Sequence, residues 1–258
     1  MILYFFVRDL HFPGVLTVTI TSLVVLGLAV MVGAGSQRAT GIGFGLVVAP
    51  ACALVLPEGD VLGTVVRLGL LADVLVFLGD RAHIDWRQLL RYAWPAALAL
   101  PFAWLTTRAV SPPILIGSAT LATLAVATVV ARPSRWRTRT ERADRVGGSI
   151  AGFASGFMGV TTGLSGPPLA LHASSGTRSM AANRSTMALF FLVVDFVAIL
   201  VHPHAVGTPV LGLLVVTLAV GILSGRALIG RVSEHSLRRA VLAIVAISAV
   251  AALAGVFV

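Results

Sequence analysis

The stretch GAGSQRATGIGFGLVVAP (residues 33–50) decides the fold of this chain together with a second stretch, GFASGFMGVTTGLSGPPLAL (residues 152–171). In each stretch, glycines lie where one apolar helix stops and a short one begins. These turn glycines are Gly41, Gly43, Gly45, Gly163 and Gly166. Glycine lets the backbone turn at such a point and exposes unpaired N–H groups at the start of the next helix. Both stretches therefore indicate an interrupted membrane helix with a site suited to an anion.

Pro167 fits the first turn of the short second helix, because proline has no N–H group to leave unpaired there. Close packing of transmembrane helices is the alternative explanation for the glycines. Two small-xxx-small pairs, Gly152 with Gly156 and Gly221 with Gly225, are of that packing kind.

The composition of the 258 residues indicates whether water or lipid surrounds most of the chain. Hydrophobic residues make up 57% and charged residues 11%, with a formal net charge of +9 and a mean hydropathy of +0.98. Nucleic-acid binders combine high positive charge with many charged residues on a solvated face, so this composition argues against a nucleic-acid partner. Lipid must be the solvent for most of the chain.

Apolar runs divide the chain into ten segments in two sets of five. They lie near 14–34, 41–56, 61–79, 92–108, 113–131, 146–164, 166–176, 183–203, 206–228 and 237–257. The second and seventh are too short for an ordinary span of about 20 residues, which indicates short or re-entrant helices. We predict an all-α integral membrane protein whose first repeat (1–131) and second repeat (146–258) flank an Arg-rich linker (132–145).

Arginine placement predicts the sidedness of these segments, because cytoplasmic loops carry the arginine excess. If all ten segments cross, one side holds sixteen of the nineteen arginines, including six in the linker. The linker is then cytoplasmic and both termini face outward.

An internal repeat relates the two halves. A shift of 122 positions superposes Thr64 on Thr186 and Asp73 on Asp195, and it also pairs the glycine turns. Because each half has five segments, the second half must be inverted relative to the first. Secondary transporters have such inverted repeats, with the binding site where broken helices meet near the midplane.

Polar residues after each turn are the remaining site candidates. The two carboxylates, Asp73 and Asp195, are either proton-coupling groups or structural partners of arginine or backbone groups. Arg67 is either an anion ligand or a residue that pairs with Asp73 or snorkels to the interface, and Arg184 lies at a span entrance. The full substrate-binding prediction is Gly41, Gly43, Gly45, Thr64, Arg67, Gly163, Ser165, Gly166, Pro167, Asn183, Arg184 and Thr186.

No catalytic constellation or metal-ligand spacing is recognisable in the sequence, so we expect neither an enzyme nor a metal or other cofactor. We expect His172 to be a helix-packing residue rather than one that binds substrate or titrates. His202 and His204 flank Pro203 in an outer loop, where we expect them to be solvated.

The motifs GIGFGLVVAP and GLSGPPLAL, with the downstream stretches LGTVV and NRSTM, resemble the TauE/SafE sulfite exporter family, also called the toluene-sulfonate uptake permease family. The resemblance covers about residues 15–258. It implies a carrier of sulfite, sulfonates or related organosulfur anions in the bacterial inner membrane. By resemblance, Gly41, Gly43, Gly45, Gly163, Gly166 and Pro167 would line the substrate path.

The sequence thus predicts a secondary transporter of a small anion, sulfite or an organosulfonate, with export favoured by the resemblance alone. Its expected partners are that anion and the lipid bilayer, with proton coupling and a homodimer both left open. An anion channel is one alternative, and a membrane scaffold or assembly protein that transports nothing is another.

Overall fold

A computed structural model describes residues 20–111, 140–174 and 179–229, together with 114, 115, 117, 118 and 121. The regular elements in these residues are helical, as predicted. The eight helices are α1 (Ile20–Thr40), α2 (Phe44–Val55), α3 (Glu58–Asp80), α4 (Trp86–Ala109), α5 (Glu141–Thr162), α6 (Gly166–Ser174), α7 (Met180–Val201) and α8 (Thr208–Leu228), and a 3-10 turn, Arg81–His83, follows α3. The predicted segments 113–131 and 237–257 lie largely or wholly outside the described residues.

Two helices begin several residues before the predicted segments because polar residues form their first turns. The side chain of Asp85 accepts a hydrogen bond from the backbone N–H of Gln88 at 3.0 Å and caps α4. Thr140 caps α5 in the same way through the N–H of Ala143. Side-chain caps of this kind start a helix ahead of its apolar run.

Four of the described helices are long and apolar enough to cross a membrane: α1, α7, α3 with the turn that follows it, and nearly all of α8. Many of their large apolar side chains are exposed, while polar side chains lie inside. Exposed apolar residues include Leu28, Leu78, Val193, Leu200 and Leu223, and buried polar residues include Gln37, Arg38, Asp73, Arg184 and Asp195. This distribution fits a multi-pass protein in lipid.

Helix α2 folds back along α1 after the first glycine turn. A Cβ on Gly33 of α1 would lie 2.9 Å from Val48 of α2, so the two helices run antiparallel. The 12 residues of α2 span about 18 Å, roughly half of a bilayer core. The nine residues of α6 are shorter still, and neither helix alone spans the full hydrocarbon thickness.

Helices α3 and α7 form an antiparallel pair at the centre. Asp80 meets Arg184 at one end of the pair, and Gly63 lies against the carbonyl oxygen of His204 at the other. Around this pair, α8 packs on α1 and α4 packs on α5.

Glycines allow the two outer contacts. Gly221 and Gly225 of α8 lie against the backbone of α1, and Gly152 and Gly156 of α5 lie against the backbone of α4. Any side chain at these positions would push the helix backbones apart, so here the small-xxx-small pairs serve close packing.

Matching helices begin 122 residues apart. Helices α2, α3 and α4 start at residues 44, 58 and 86, and α6, α7 and α8 start at residues 166, 180 and 208. The same offset relates the contact of α1 with α2 to that of α5 with α6, and the contact of α8 with α1 to that of α4 with α5.

Candidate functional site

A cavity of about 30 Å³ lies between the two glycine turns and the α3–α7 pair. A single water needs about 10–15 Å³ of such space, so the cavity has room for roughly two waters. The residues around it are Gln37, Gly43, Phe44, Gly45, Leu46, Val65, Val66, Gly69, Asp73, Gly163, Leu164, Ser165, Gly166, Phe191 and Asp195. The first residues of both short helices, α2 and α6, are therefore cavity residues.

The two glycine turns touch each other beside the cavity. A Cβ on Gly45 would overlap the carbonyl oxygen of Gly163, and one on Gly166 would lie 2.8 Å from the side chain of Ile42. Gly163 also has a φ of 71°, in the left-handed region that favours glycine. The sequence pattern is thus explained by a close approach of two backbones.

Two buried carboxylates face this cavity, Asp73 from α3 and Asp195 from α7. Gln37 of α1 donates a hydrogen bond from Nε2 to Oδ1 of Asp73 at 2.6 Å. Its Oε1 accepts a hydrogen bond from the backbone N–H of Phe44 at 3.3 Å. Among the described residues, neither carboxylate forms a salt bridge with an arginine or histidine.

Half of the substrate-binding and proton-coupling residues predicted from the sequence line the cavity. Those that line it are Gly43, Gly45, Asp73, Gly163, Ser165, Gly166 and Asp195, and those that do not are Gly41, Thr64, Arg67, Pro167, Asn183, Arg184 and Thr186. The residues outside the cavity form contacts at either end of the α3–α7 pair, or lie in the first turns of α6 and α7.

Thr64 and Thr186 make equivalent contacts in the two halves. The hydroxyl of Thr64 accepts a hydrogen bond from the backbone N–H of Val206 at 2.9 Å. That of Thr186 accepts one from the backbone N–H of Asp85 at 3.0 Å. Both threonines are buried, and each fixes the chain just before α8 or α4.

Arg67 lies at one end of the α3–α7 pair and donates to backbone carbonyls. Its guanidinium reaches the oxygens of Gly63 at 2.9 Å, His202 at 3.2 Å and Pro203 at 2.6 Å. It therefore joins α3 to the loop that follows α7, and it forms no salt bridge with Asp73 within the described part of the chain.

The expectation that His202 is a solvated loop residue is wrong. Its Nε2 donates to the carbonyl oxygen of Val160 at 2.8 Å, and the side chain is half-buried. Burial lowers the pKa of His202, and the hydrogen bond to Val160 offsets this effect only in part.

Arg184 lies at the other end of the pair in a charged cluster that the sequence did not reveal. Its Nε donates to Oδ2 of Asp80 at 3.0 Å, and Nη1 of Arg38 donates to the same oxygen at 2.6 Å. Gly41 is pressed against this cluster, since a Cβ there would lie 2.9 Å from Cα of Arg184. The cluster joins the ends of α1 and α3 to the beginning of α7.

His172 of α6 is held in a buried network, as the packing interpretation favours. Its Nδ1 faces the hydroxyl of Tyr92 at 3.0 Å and Nε2 of Gln88 at 3.2 Å. Its Nε2 faces the backbone oxygen of Asp144 at 3.0 Å and a carboxylate oxygen of the same residue at 3.3 Å. The network ties α6 to the first turns of α4 and α5.

Sequence reasoning missed Gln37, Arg38 and Asp80. Gln37 and Arg38 lie inside the first quoted stretch and interrupt an apolar run with two polar residues. That interruption is the available signal. No such signal marks Asp80, because it follows the apolar segment and resembles an ordinary polar helix end.

Comparison with known families agrees with the resemblance carried by the glycine motifs. The model of the family described as sulfite exporter TauE/SafE matches residues 17–252, which is nearly the whole chain. No curated protein and no solved structure is significantly similar to this chain. The match includes both glycine turns, the cavity and the charged cluster, and the chain therefore belongs to the TauE/SafE sulfite exporter family.

Proposed function

We propose that this protein is a secondary transporter that exports a small oxyanion of the sulfite or organosulfonate class by alternating access. The observation that carries the proposal is the cavity between the two glycine turns, which is lined by the first residues of α2 and α6 and by two carboxylates. The family match supplies the substrate class.

The N-terminus of α2 supports anion binding in the cavity, whereas that of α6 offers fewer donors because Pro167 and Pro168 have no N–H group. Helix N-termini carry N–H groups without intrahelical partners and a partial positive charge. Gln37 accepts a hydrogen bond from the N–H of Phe44, and the next two residues of α2, Gly45 and Leu46, also line the cavity. Binding by backbone N–H groups is weaker than binding by several buried arginines, so a substrate held in this way can also leave.

The two carboxylates support coupling to protons. An anion beside Asp73 and Asp195 meets strong repulsion in a low-dielectric site if both are ionised and unpaired. It can enter only when protons neutralise this charge, so a proton and the anion should move together. A sulfite dianion that moves with one proton per carboxylate carries no net charge, whereas with one proton shared by the pair it carries a net charge of −1, which an interior-negative membrane potential drives outward.

The equal spacing of helix starts supports two inverted repeats of five segments, with boundaries at 1–131, 132–145 and 146–258. In this arrangement the Arg38–Asp80–Arg184 end of the cavity faces the cytoplasm of a bacterial cell, since arginine-rich loops stay inside. The Arg67 end faces outward.

Closed contacts at both ends favour a transporter over a channel. A channel needs a continuous polar path, whereas Arg67 closes one end against the carbonyls after α7 and Asp80 closes the other with two arginines. A scaffold that only packs would have no need for two buried carboxylates beside a cavity.

Labelled-sulfite flux in proteoliposomes tests the proposal. We expect saturable sulfite flux that is accompanied by proton movement. Asp73→Asn and Asp195→Asn should either stop both movements or allow sulfite to move without protons. Thr217→Val is a matched control, because its hydroxyl donates to the carbonyl of Leu214 in its own helix.

Non-saturable conductance would favour the channel. Absence of flux for sulfite, sulfonates and thiosulfate in a folded protein would overturn transport and favour the scaffold. Flux that is independent of pH and insensitive to both aspartate substitutions would remove the proton-coupling part.

A further inference from the structure

The cluster of Arg38, Asp80 and Arg184 holds more positive than negative charge in a nearly dehydrated place. The side chains are 7%, 11% and 9% exposed. Two guanidinium groups share one carboxylate, so the cluster has a net charge of +1. A buried charge without a counter-ion is costly, and among the described residues Asp80 is the only carboxylate that pairs with either arginine.

The geometry leaves donors free for a second anion. Both arginines contact the same oxygen, Oδ2 of Asp80, so neither forms the two-point pairing that a guanidinium prefers with an oxyanion. Arg184 makes one further, long contact, from Nη1 to the carbonyl of Ala39 at 3.5 Å. Within the described ranges, the Nη2 groups of both arginines have no hydrogen-bond acceptor.

The cluster is also connected to the cavity. Asp73 and Asp80 are seven residues, or two turns, apart on the same face of α3, which separates them by about 10 Å along the helix. On α1, Gln37 contacts Asp73 and its neighbour Arg38 contacts Asp80. An anion leaving the cavity toward this end therefore meets the two guanidinium groups next.

We infer that Arg38 and Arg184 form a second anion site, where a small oxyanion competes with Asp80 for the two guanidinium groups. This inference rests on the proposed transport function for its choice of ligand. Because Asp80 links α1, α3 and α7 through one oxygen, an oxyanion that replaces it releases that link. The site thus takes up substrate at the mouth of the cavity and loosens the same closed end.

The test is anion-dependent thermal stabilisation of the purified full chain, titrated with sulfite against chloride at constant ionic strength. A ligand that binds the native state raises the unfolding temperature. We expect Arg38→Gln and Arg184→Gln to weaken the apparent sulfite affinity about tenfold, the loss typical of a charge-assisted hydrogen bond. Asp80→Asn should strengthen it, because the internal competitor is gone.

Arg91→Gln is the matched control. Arg91 also pairs with a carboxylate, Asp144, at 2.8 Å and is 13% exposed, but it belongs to a different cluster. Its substitution should leave the sulfite response unchanged. If Asp80→Asn does not fold, the double variant Arg38→Gln/Asp80→Asn retains the net charge of +1 and should bind sulfite more tightly than Arg38→Gln alone, because the competitor is gone.

A purely structural ion pair predicts lower stability in every variant with an unchanged sulfite response, and that result would overturn the second site. Parallel flux measurements separate the two proposals. Flux in the wild type with an unaltered affinity in Arg38→Gln would remove this site and leave transport standing. Sulfite binding that depends on Arg38 and Arg184 in a protein without flux would keep the site and overturn transport.

Discussion

The side-chain amide of Gln37 joins the carboxylate of Asp73 to the first turn of α2. Its Nε2 lies 2.6 Å from Oδ1 of Asp73, and its Oε1 lies 3.3 Å from the backbone nitrogen of Phe44. One side chain thus connects the first glycine turn to a carboxylate of the cavity. The two hydrogen bonds of Gln37 therefore link the carboxylate of Asp73 to the first turn of α2.

Replacement of Gln37 should uncouple this turn from the carboxylate. Gln37→Met keeps the length of the side chain and removes both hydrogen bonds. We expect a loss of about 1–3 kcal/mol in the free energy of unfolding, typical of buried polar groups left without a partner, with a larger relative loss of sulfite flux. Thermal unfolding and proteoliposome flux measure the two effects.

Ser224→Ala is the control for Gln37→Met. Its hydroxyl is exposed on α8 and donates to the carbonyl of Val220 in the same helix, so both measurements should match the wild type. Equal behaviour of Gln37→Met and Ser224→Ala would refute the role of Gln37.

The contact of the two glycine turns predicts a sharp difference between glycines. In Gly45→Ala the new Cβ would overlap the carbonyl of Gly163, and overpacking of this kind costs about 1–3 kcal/mol. We expect a lower unfolding temperature and a loss of transport. Gly212→Ala, whose added Cβ would meet no atom of the other described helices within 4 Å, should be neutral or slightly stabilising because alanine favours the helix.

Thr64 and Thr186 should behave as structural residues. Thr64→Val leaves the buried N–H of Val206 without its acceptor, and such a group costs about 1–3 kcal/mol. Thr186→Val should do the same through Asp85. Serine at either position retains the hydroxyl and should restore stability.

Transport kinetics distinguish the structural role of Thr64 and Thr186 from the substrate-binding role that the sequence suggests. If the threonines bind the anion, the valine variants will raise the KM for flux with unchanged stability. A structural role instead lowers the amount of folded transporter and leaves the KM of the remaining protein unchanged.

His202 should make stability fall in mild acid. Burial lowers its pKa in the folded protein, whereas the unfolded chain has the ordinary histidine value of about 6.5. Between these two values the unfolded state binds more protons, so the free energy of unfolding decreases as the pH falls below about 6.5. Unfolding temperatures at a series of pH values measure this loss.

His202→Gln should flatten that part of the pH profile, because glutamine can still donate to Val160 and does not titrate. His204→Gln is the control from the same loop. An equal acid response in all three proteins would assign the effect to another group.

The amino-acid pattern predicted the helical segments well where apolar runs bound them. It placed α2, α6 and α7 within a few residues of their observed bounds, because glycine and proline interrupt the runs there. It began α4 and α5 too late, since their first turns are polar and are defined by the caps Asp85 and Thr140. A cap depends on one side chain and one backbone group, which a hydropathy pattern does not register.

The candidate site could be predicted only in part. The glycines and the two aspartates were recognisable because each is an unusual residue in an apolar helix. Arg67 and the two threonines were equally unusual, yet they bond to backbone groups of a distant loop or helix start. Spacing along one helix gives no information about a partner more than a hundred residues away.

By itself, the sequence determined that this chain is a helical membrane protein of the TauE/SafE family with two interrupted helices, because hydropathy and glycine placement are local properties. The tertiary structure alone decided which polar groups face the cavity and which close its ends. That choice depends on the depth and rotation at which α1, α3 and α7 pack. It brings Gln37 to Asp73, and it gives Asp80 two arginines from different helices.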